Sequence, residues 1–302
     1  AETLLELHAR RGLMQEYSAS WRRLKDGEYA EDVAGDVEQT TDELLDQGSD
    51  DRYDIVDYCR DHDRLVAGEE EKYYDTGIDV FDNVLCGGIA LSRFYLLLAL
   101  SGHGKSRVAT AIAAGLMTNH DFAVDWWYVD GHERDVYDQF VAHMGPVHSS
   151  YLDHPQMVSE QKREALEERK YGAAGVIKGW EQDDRFRIFA EGEPDARRIK
   201  METKRRSAQL DCPYMVVVDY IQRVDAGFEG ERADYKNVRR AVRTLNDLKS
   251  LDNTAILGLG QFNRSASKGG MPKLRQGGGP SQIEDDANHA LIWHRPAQEE
   301  NS

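Results

Sequence analysis

The residues most able to do chemistry lie in one short stretch between an apolar segment and a helical one. Residues 99–106 read Ala-Leu-Ser-Gly-His-Gly-Lys-Ser. They follow the apolar run 94–98, which predicts a buried strand, and they precede apolar residues at helical spacing over 108–116. In such a strand–turn–helix unit, the N–H groups of the turn and the positive end of the helix dipole converge on an anion. Residues 99–106 are therefore predicted to form a phosphate-binding loop.

Each polar residue of this loop has a predicted role. Lys105 would contact the β- and γ-phosphates of a nucleoside triphosphate, and the hydroxyl of Ser106 would ligate Mg²⁺. The rest of the loop would surround the phosphates at Ser101, Gly102, His103 and Gly104. The pattern G-x-x-x-x-G-K-[ST] is met except at its first position, where Ala99 replaces Gly. The alternative is a chance glycine-lysine turn, but the strand and helix on either side favour a site for a nucleoside triphosphate with Mg²⁺.

Four further polar residues follow predicted strands. They are Asp130 and Glu133 after the second strand, Asp219 after the fourth, and Gln261 after the fifth. Ligands of open parallel sheets gather at the carboxyl ends of the strands, so these side chains are expected near the loop. A lone carboxylate such as Asp219 suits Mg²⁺ ligation, directly or through water, and the amide of Gln261 could sense a γ-phosphate. The alternative is that they are ordinary polar residues at strand ends.

The elements that would position these residues alternate between strand and helix. Apolar runs predict strands at 94–98, 123–129, 185–190, 214–218, 255–260 and 289–293. Helices are predicted between them at 135–144, 159–171, 194–210 and 234–251, with Gly-rich punctuation after the second of these. Such alternation predicts an α/β fold, with a mainly parallel sheet and helices on both faces.

The first part of the chain is predicted to be a separate helical segment. Residues 3–25 carry an apolar stripe at spacings of three and four, formed by Met14, Tyr17, Trp21 and Leu24. The stripe must pack against its own domain or a neighbouring subunit. An acidic stretch follows, so we assign residues 1–72 to a linker or collar and residues 73–302 to the main domain.

Composition bounds the kind of protein. The length of 302 residues suits one large α/β domain with an appendage. Three widely spaced cysteines favour a reducing cytoplasm over disulfides or zinc, and neither a signal peptide nor a membrane-spanning apolar run is visible. The net charge of −17 argues against nucleic acid, although much of the acid lies in 26–71 and a local basic channel could still contact it.

The best candidate for such a channel is the segment 263–282, which is rich in Gly, Ser, Lys and Arg. The residues predicted to contact DNA are Arg264, Lys268, Lys273, Arg275 and Gly277. Cations that reach phosphates and glycines that permit close approach suit sequence-independent tracking of a single strand. The alternative is a flexible surface loop. Basic residues over 197–206 either line the same channel or, as the charged face of a helix more often does, contact water.

Residues 218–222, Val-Asp-Tyr-Ile-Gln, resemble the D-Y-L-Q form of the magnesium-binding strand in DnaB-type replicative helicases. Ala99 in place of the first loop glycine is normal in that family. Further similar stretches occur in the family's order: Thr-Gly-Ile at 76–78 with Phe81-Asp82 and Gly87-Gly88, Gly-Gln-Phe-Asn-Arg at 260–264, Leu274-Arg275, and Ile-Glu-Asp-Asp-Ala-Asn at 283–288. The N-terminal helix is similar to the linker helix that docks on the adjacent subunit, so the resemblance covers nearly the whole chain.

The resemblance implies a RecA-like ATPase that acts as the motor of a ring-shaped homo-hexameric DNA helicase. It implies ATP with Mg²⁺ as cofactors, 5′-to-3′ movement on single-stranded DNA, and duplex unwinding in replication. Primase or a helicase loader would be partners, in the cytoplasm of a bacterium or of a phage-infected host. Glu133 or Asp130 would activate the attacking water, and Gln261 would couple the γ-phosphate to the DNA segment.

The sequence departs from the family pattern in two places. The family's general base is a glutamate in an S-L-E-M context, whereas residues 128–133 here read Tyr-Val-Asp-Gly-His-Glu. The family also places a trans-acting arginine finger beyond the last strand, and Ser302 is only seven residues past Arg295. We therefore expect these residues alone to bind ATP but to hydrolyse it slowly. Two alternatives stay open: a recombinase-like or clock-type RecA relative, and a non-hydrolysing module that assembles or loads a partner.

Overall fold

A computed structural model describes most of the second of two units into which the chain divides, Ala1–Glu71 and Lys72–Ser302. The described residues are 73–129, 131–190, 194–224, 235–261 and 287–294, with side chains from 239 onward in the fourth of these ranges, and the isolated positions 19, 20, 22, 23, 25, 55 and 59.

The described part of the second unit alternates strands and helices. The strands are β1 Arg93–Ala99, β2 Ala123–Tyr128, β3 Phe186–Phe189, β4 Tyr214–Asp219, β5 Thr254–Gln261 and β6 His289–Trp293. The helices are α1 Asp79–Val84, α2 Lys105–Asn119, α3 Glu133–Met144, α4 Ser149–Asp153, α5 Glu160–Gln182, α6 Ala196–Ser207 and α7 Tyr235–Asn246. Short 3₁₀ helices span Pro155–Met157, Ile221–Arg223 and Asp247–Ser250. None of these helices combines the length and the apolar character needed to cross a membrane.

The six strands form one sheet in the order β3-β2-β4-β5-β1-β6. Every neighbouring pair is parallel, and the register of β1 with β5 runs from Arg93 opposite Ala255 to Ala99 opposite Gln261. All carboxyl ends therefore lie at one edge of the sheet. The predicted α/β fold with a parallel, RecA-like sheet is confirmed.

Helices cover both faces of the sheet, as the alternation along β1 illustrates. Phe94, Leu96 and Leu98 face a core that includes residues of α6 and α7. Tyr95 and Leu97 face the opposite core, which includes residues of α2, α3 and α5. Because both faces are covered, the strand is a continuous apolar run instead of an alternating one.

Helix α5 extends well past its predicted end. The prediction stopped it at Tyr171 because three glycines follow, but the helix continues to Gln182. Ala173, Ile177 and Trp180 are buried at helical spacing, and Ile177 and Trp180 pack in the core that holds this second half of the helix. Tertiary packing therefore outweighs the helix-weakening effect of the glycines.

The basic helix α6 also differs from expectation at one position. Arg206 neither lines a channel nor contacts water: its side chain is 2% exposed and lies 3.0 Å from Asp125 Oδ1. Tyr214 donates a hydrogen bond to the other Asp125 oxygen at 2.7 Å, and Arg206 Nη1 donates to Asp184 at 3.0 Å. Burial raises the pKa of Asp125 to about 6, although the guanidinium of Arg206 opposes the rise. This buried group ties β2, β4 and α6 together.

Candidate active site

A cleft of about 1230 Å³ opens at the carboxyl edge of the sheet. The loop after β1 contributes Ser101 to Ser106 to its wall. Four other strands contribute their last residues, namely Tyr128, Asp219, Gln261 and Trp293. The parallel topology thus brings together residues that are far apart in the sequence, as expected for a ligand site in an open α/β sheet.

The predicted phosphate-binding loop has a backbone conformation that depends on its glycines. Gly102 and Gly104 adopt φ angles of +79° and +86°, a region that other residues rarely enter. The N–H of His103 donates to the carbonyl of Leu100 at 3.1 Å, and helix α2 begins at Lys105. The N–H groups at the start of α2 therefore face the cleft with the positive end of the helix dipole.

Lys105 and Asp219 form an ion pair inside the cleft. The Nζ atom lies 2.5 Å from Oδ1 of Asp219, and it also lies 5.1 Å from the centre of the Tyr220 ring. The carboxylate is 1% exposed, whereas the lysine is 16% exposed. The lysine is therefore held by a buried carboxylate at the position from which it would reach a phosphate.

The residues around Asp219 also fit a magnesium ion. The second carboxylate oxygen, Oδ2, is buried and has no hydrogen-bond partner among the described residues. Ser106, whose side chain carries a hydroxyl group, lines the same cleft. Carboxylate and hydroxyl oxygens are ligands of the kind that Mg²⁺ takes, and the orphaned oxygen is a vacant acceptor.

Gln261 lies in the cleft, and Gln222 holds its backbone. The amide of Gln222 donates to the Gln261 carbonyl at 3.1 Å. A Cβ on Gly260 would lie 2.5 Å from the end of the Leu98 side chain, so a larger residue here would force that buried side chain to move. Gln222 is the last residue of the Val-Asp-Tyr-Ile-Gln stretch, so that motif carries a signal for this contact that the sequence prediction did not use.

The structure does not bring every predicted residue into the cleft. Glu133 is exposed at the first position of α3, and it is not among the residues that line the cleft. Asp130 and all five predicted DNA contacts lie outside the described residues. Conversely, the prediction missed Gln139 and His294, which do line the cleft. Gln139 lies inside α3 and His294 follows the edge strand, so only the three-dimensional packing reveals them.

The fold and the cleft define an α/β protein with a RecA-like sheet, whose carboxyl edge carries a cleft lined by the glycine-rich loop after β1. The family model described as the DnaB-like helicase C-terminal domain matches residues 74–302. The chain therefore belongs to the DnaB-like helicase family.

Solved structures agree with this assignment at the level of the fold. One, described as an ATPase domain, superposes with a TM-score of 0.68 at 17% identity, and the match covers 82% of this chain and 84% of that one. A second, described as a DnaB-like replicative helicase and its interactions with primase, gives a TM-score of 0.66 at 16% identity, and the match covers 99% of this chain and 70% of that one. No match was found among curated proteins.

Proposed function

We propose that this chain is the ATP-hydrolysing motor of a ring-shaped, hexameric DNA helicase that moves 5′-to-3′ on single-stranded DNA in the cytoplasm. It would unwind duplex DNA during replication. The proposal is supported by membership of the DnaB-like helicase family. The observation that carries it is the ion pair of Lys105 with the buried carboxylate of Asp219, inside a cleft that Ser106 also lines and that is large enough for a nucleotide.

ATP binding would redistribute the charges of this pair. A triphosphate is a stronger partner for Lys105 than one carboxylate, because several anionic oxygens compete for the same ammonium group. Lys105 would then stabilise the charge on the transferring phosphoryl group. Ser106 and Asp219 would hold Mg²⁺, which when bound would supply neutralisation of charge on the phosphate oxygens.

The water-activating residue is proposed to be Asp130 or Glu133. Both follow β2, whose last residue, Tyr128, lines the cleft. Glu133 stands at the exposed start of α3, whereas Asp130 is only two positions past Tyr128. This spacing along the chain favours Asp130 of the two.

Coupling to DNA would pass through Gln261. This residue ends β5, lines the cleft, and is followed directly by the segment that holds Arg264, Lys268, Lys273, Arg275 and Gly277. A change at the γ-phosphate would reach that segment through a single residue, as in switches ordered by phosphate contacts. The structural relative whose description mentions primase supports primase as a partner here.

One observation favours the alternative function, a module that binds ATP without hydrolysing it. Glu133 does not line the cleft, so among the described residues no carboxylate other than Asp219 lies in its wall. Such a module would bind ATP and assemble without turning it over.

Unwinding of a forked DNA duplex separates these functions. Residues 1–302 alone are expected to hydrolyse ATP slowly, so the test adds a C-terminal segment that carries the family's arginine finger. With ATP and Mg²⁺, this longer protein is expected to separate a fork with a 5′ single-stranded tail and to hydrolyse ATP faster when single-stranded DNA is added. A fork with only a 3′ tail and the Lys105→Ala variant are the two controls, and neither should give unwound product. ATP-dependent assembly without hydrolysis would favour the assembly module. Hydrolysis without unwinding of either fork would favour a recombinase-like or clock-type ATPase.

A further inference from the structure

The indole of Trp293 connects the edge strand to the phosphate-binding loop. Trp293 ends β6, and the register places it opposite Ala99 at the end of β1. Its Nε1–H donates a hydrogen bond to the carbonyl of His103 at 3.0 Å. A residue late in the chain therefore holds the middle of a loop that the sequence defines locally.

This hydrogen bond fixes the orientation of one peptide group. The His103 carbonyl and the Gly104 N–H belong to one planar trans peptide, in which the two groups point in opposite directions. Holding the carbonyl towards Trp293 turns the Gly104 N–H away from the indole. Gly104 lines the cleft, and within the described part of the chain its N–H makes no hydrogen bond. The Gly104 N–H is therefore a hydrogen-bond donor without an acceptor among the described residues.

The loop depends on a hydrogen bond from outside it to fix its conformation. A Cβ built on Gly102 or Gly104 would meet nothing within 4 Å, so little packing restricts either glycine. Glycine has more accessible backbone conformations than any other residue, and it loses the most freedom when it is ordered. The bonds from the His103 N–H to the Leu100 carbonyl and from Trp293 to the His103 carbonyl fix the peptide groups on both sides of residue 103.

We infer that Trp293 is a positioning residue of the nucleotide site, which orients the Gly104 N–H towards a phosphate oxygen before the nucleotide arrives. The inference rests on the proposed function, because it requires that the cleft binds a nucleoside triphosphate. The Gly104 N–H would contact phosphate equally in the bound nucleotide and in the transition state. Losing such uniform binding raises Kd and KM and leaves kcat unchanged.

Trp293→Phe tests the inference because it keeps an aromatic ring and removes the N–H donor together with the five-membered ring, and the control below loses the same volume. Trp127→Phe is the matched control: Trp127 lies in β2 outside the cleft, and its buried indole nitrogen has no partner among the described residues. The measurements are the Kd of a fluorescent ATP analogue with Mg²⁺, its displacement by inorganic triphosphate, and steady-state ATP hydrolysis.

Trp293→Phe is expected to raise Kd and KM about three- to tenfold, the usual range for one lost hydrogen bond, with kcat unchanged within about twofold. The affinity for inorganic triphosphate should fall by the same factor, because the effect acts through the phosphates. Trp127→Phe should change none of these values.

Three results would overturn the inference and leave the proposed function intact. The first is an unchanged Kd in Trp293→Phe, and the second is an equal loss of affinity in Trp127→Phe. The third is a loss of affinity for ATP in Trp293→Phe without a loss of affinity for inorganic triphosphate, which would place Trp293 against the nucleotide base. A wild-type chain that binds neither ATP nor inorganic triphosphate would overturn the proposed function together with the inference.

Discussion

At the scale of single residues, Asp219 has two tasks that its environment keeps apart. One carboxylate oxygen pairs with Lys105, and the other is buried without a partner among the described residues. Burying an unpaired carboxylate oxygen costs free energy. A cation bound to Oδ2 of Asp219 in the working protein would remove that cost and explain why the oxygen has no partner among the described residues.

Asp219→Asn is expected to leave ATP binding within about threefold of wild type, because under the proposed function the loop amides and Lys105 would supply most of the phosphate contacts. Hydrolysis should fall by about 10²-fold or more, the size typical of losing one group that stabilises transition-state charge. Binding titrations and single-turnover hydrolysis at several Mg²⁺ concentrations measure both quantities. The control is Asp252→Asn on the exposed surface, which should behave as wild type. A variant that fails to fold would make Asp219 a structural residue instead.

At the scale of elements, local sequence patterns predicted the strands and the loop. They did not predict which distant residues contact these elements. The phosphate loop and β4 were predictable because their signals lie within ten residues or so of each other. The contact of Trp293 with His103 depends on β6 pairing with β1, and the burial of Arg206 depends on Asp125 in another strand. Such partners are set by strand order and by packing, which no local pattern in one sequence specifies.

The glycines of two helices allow a direct test of this packing account. Gly175 in α5 is exposed, with open space around its Cβ position, so Gly175→Ala should raise the free energy of unfolding by about 0.5–1 kcal/mol through helix propensity alone. Gly115 in α2 is different, because a Cβ there would lie 2.0 Å from the Thr76 carbonyl oxygen. Gly115→Ala should therefore lower the free energy of unfolding. Urea denaturation measures both, and effects of the same sign would contradict the assignment.

At the scale of the whole molecule, the net charge of −17 did not exclude membership of the DnaB-like helicase family. Net charge governs long-range attraction, whereas the fold and the local site determine what a surface contacts. The same acidic composition means that many carboxylates contribute to the pH dependence of stability. For a carboxyl group that the fold stabilises as an anion, the contribution to the free energy of unfolding increases with pH. The buried Asp125 should instead make a contribution that decreases with pH.

The raised pKa of Asp125 sets that sign. Because its folded pKa of about 6 lies above the ordinary value of 3.8, the folded state binds more protons between these values. Its contribution to stability is thus complete below pH 3.8 and is lost as the pH rises through about 6. The free energy of unfolding of wild type minus that of Asp125→Asn should fall between pH 4 and pH 7 by an amount on the order of 2 kcal/mol, at 1.36 kcal/mol per pKa unit. Urea denaturation at both pH values measures it, and a constant difference would show that Asp125 does not titrate there.

The central claim is that the cleft at the carboxyl edge of the sheet binds ATP with Mg²⁺ through Lys105. The most direct measurement is the Kd of a fluorescent ATP analogue for wild type, for Lys105→Ala, and for Lys178→Ala, which removes an exposed lysine of α5. We predict that Lys105→Ala weakens binding about tenfold or more, the cost of a hydrogen bond to a charged group, and abolishes hydrolysis. Lys178→Ala should match wild type. Equal affinities for all three proteins, or normal hydrolysis by Lys105→Ala, would contradict the claim.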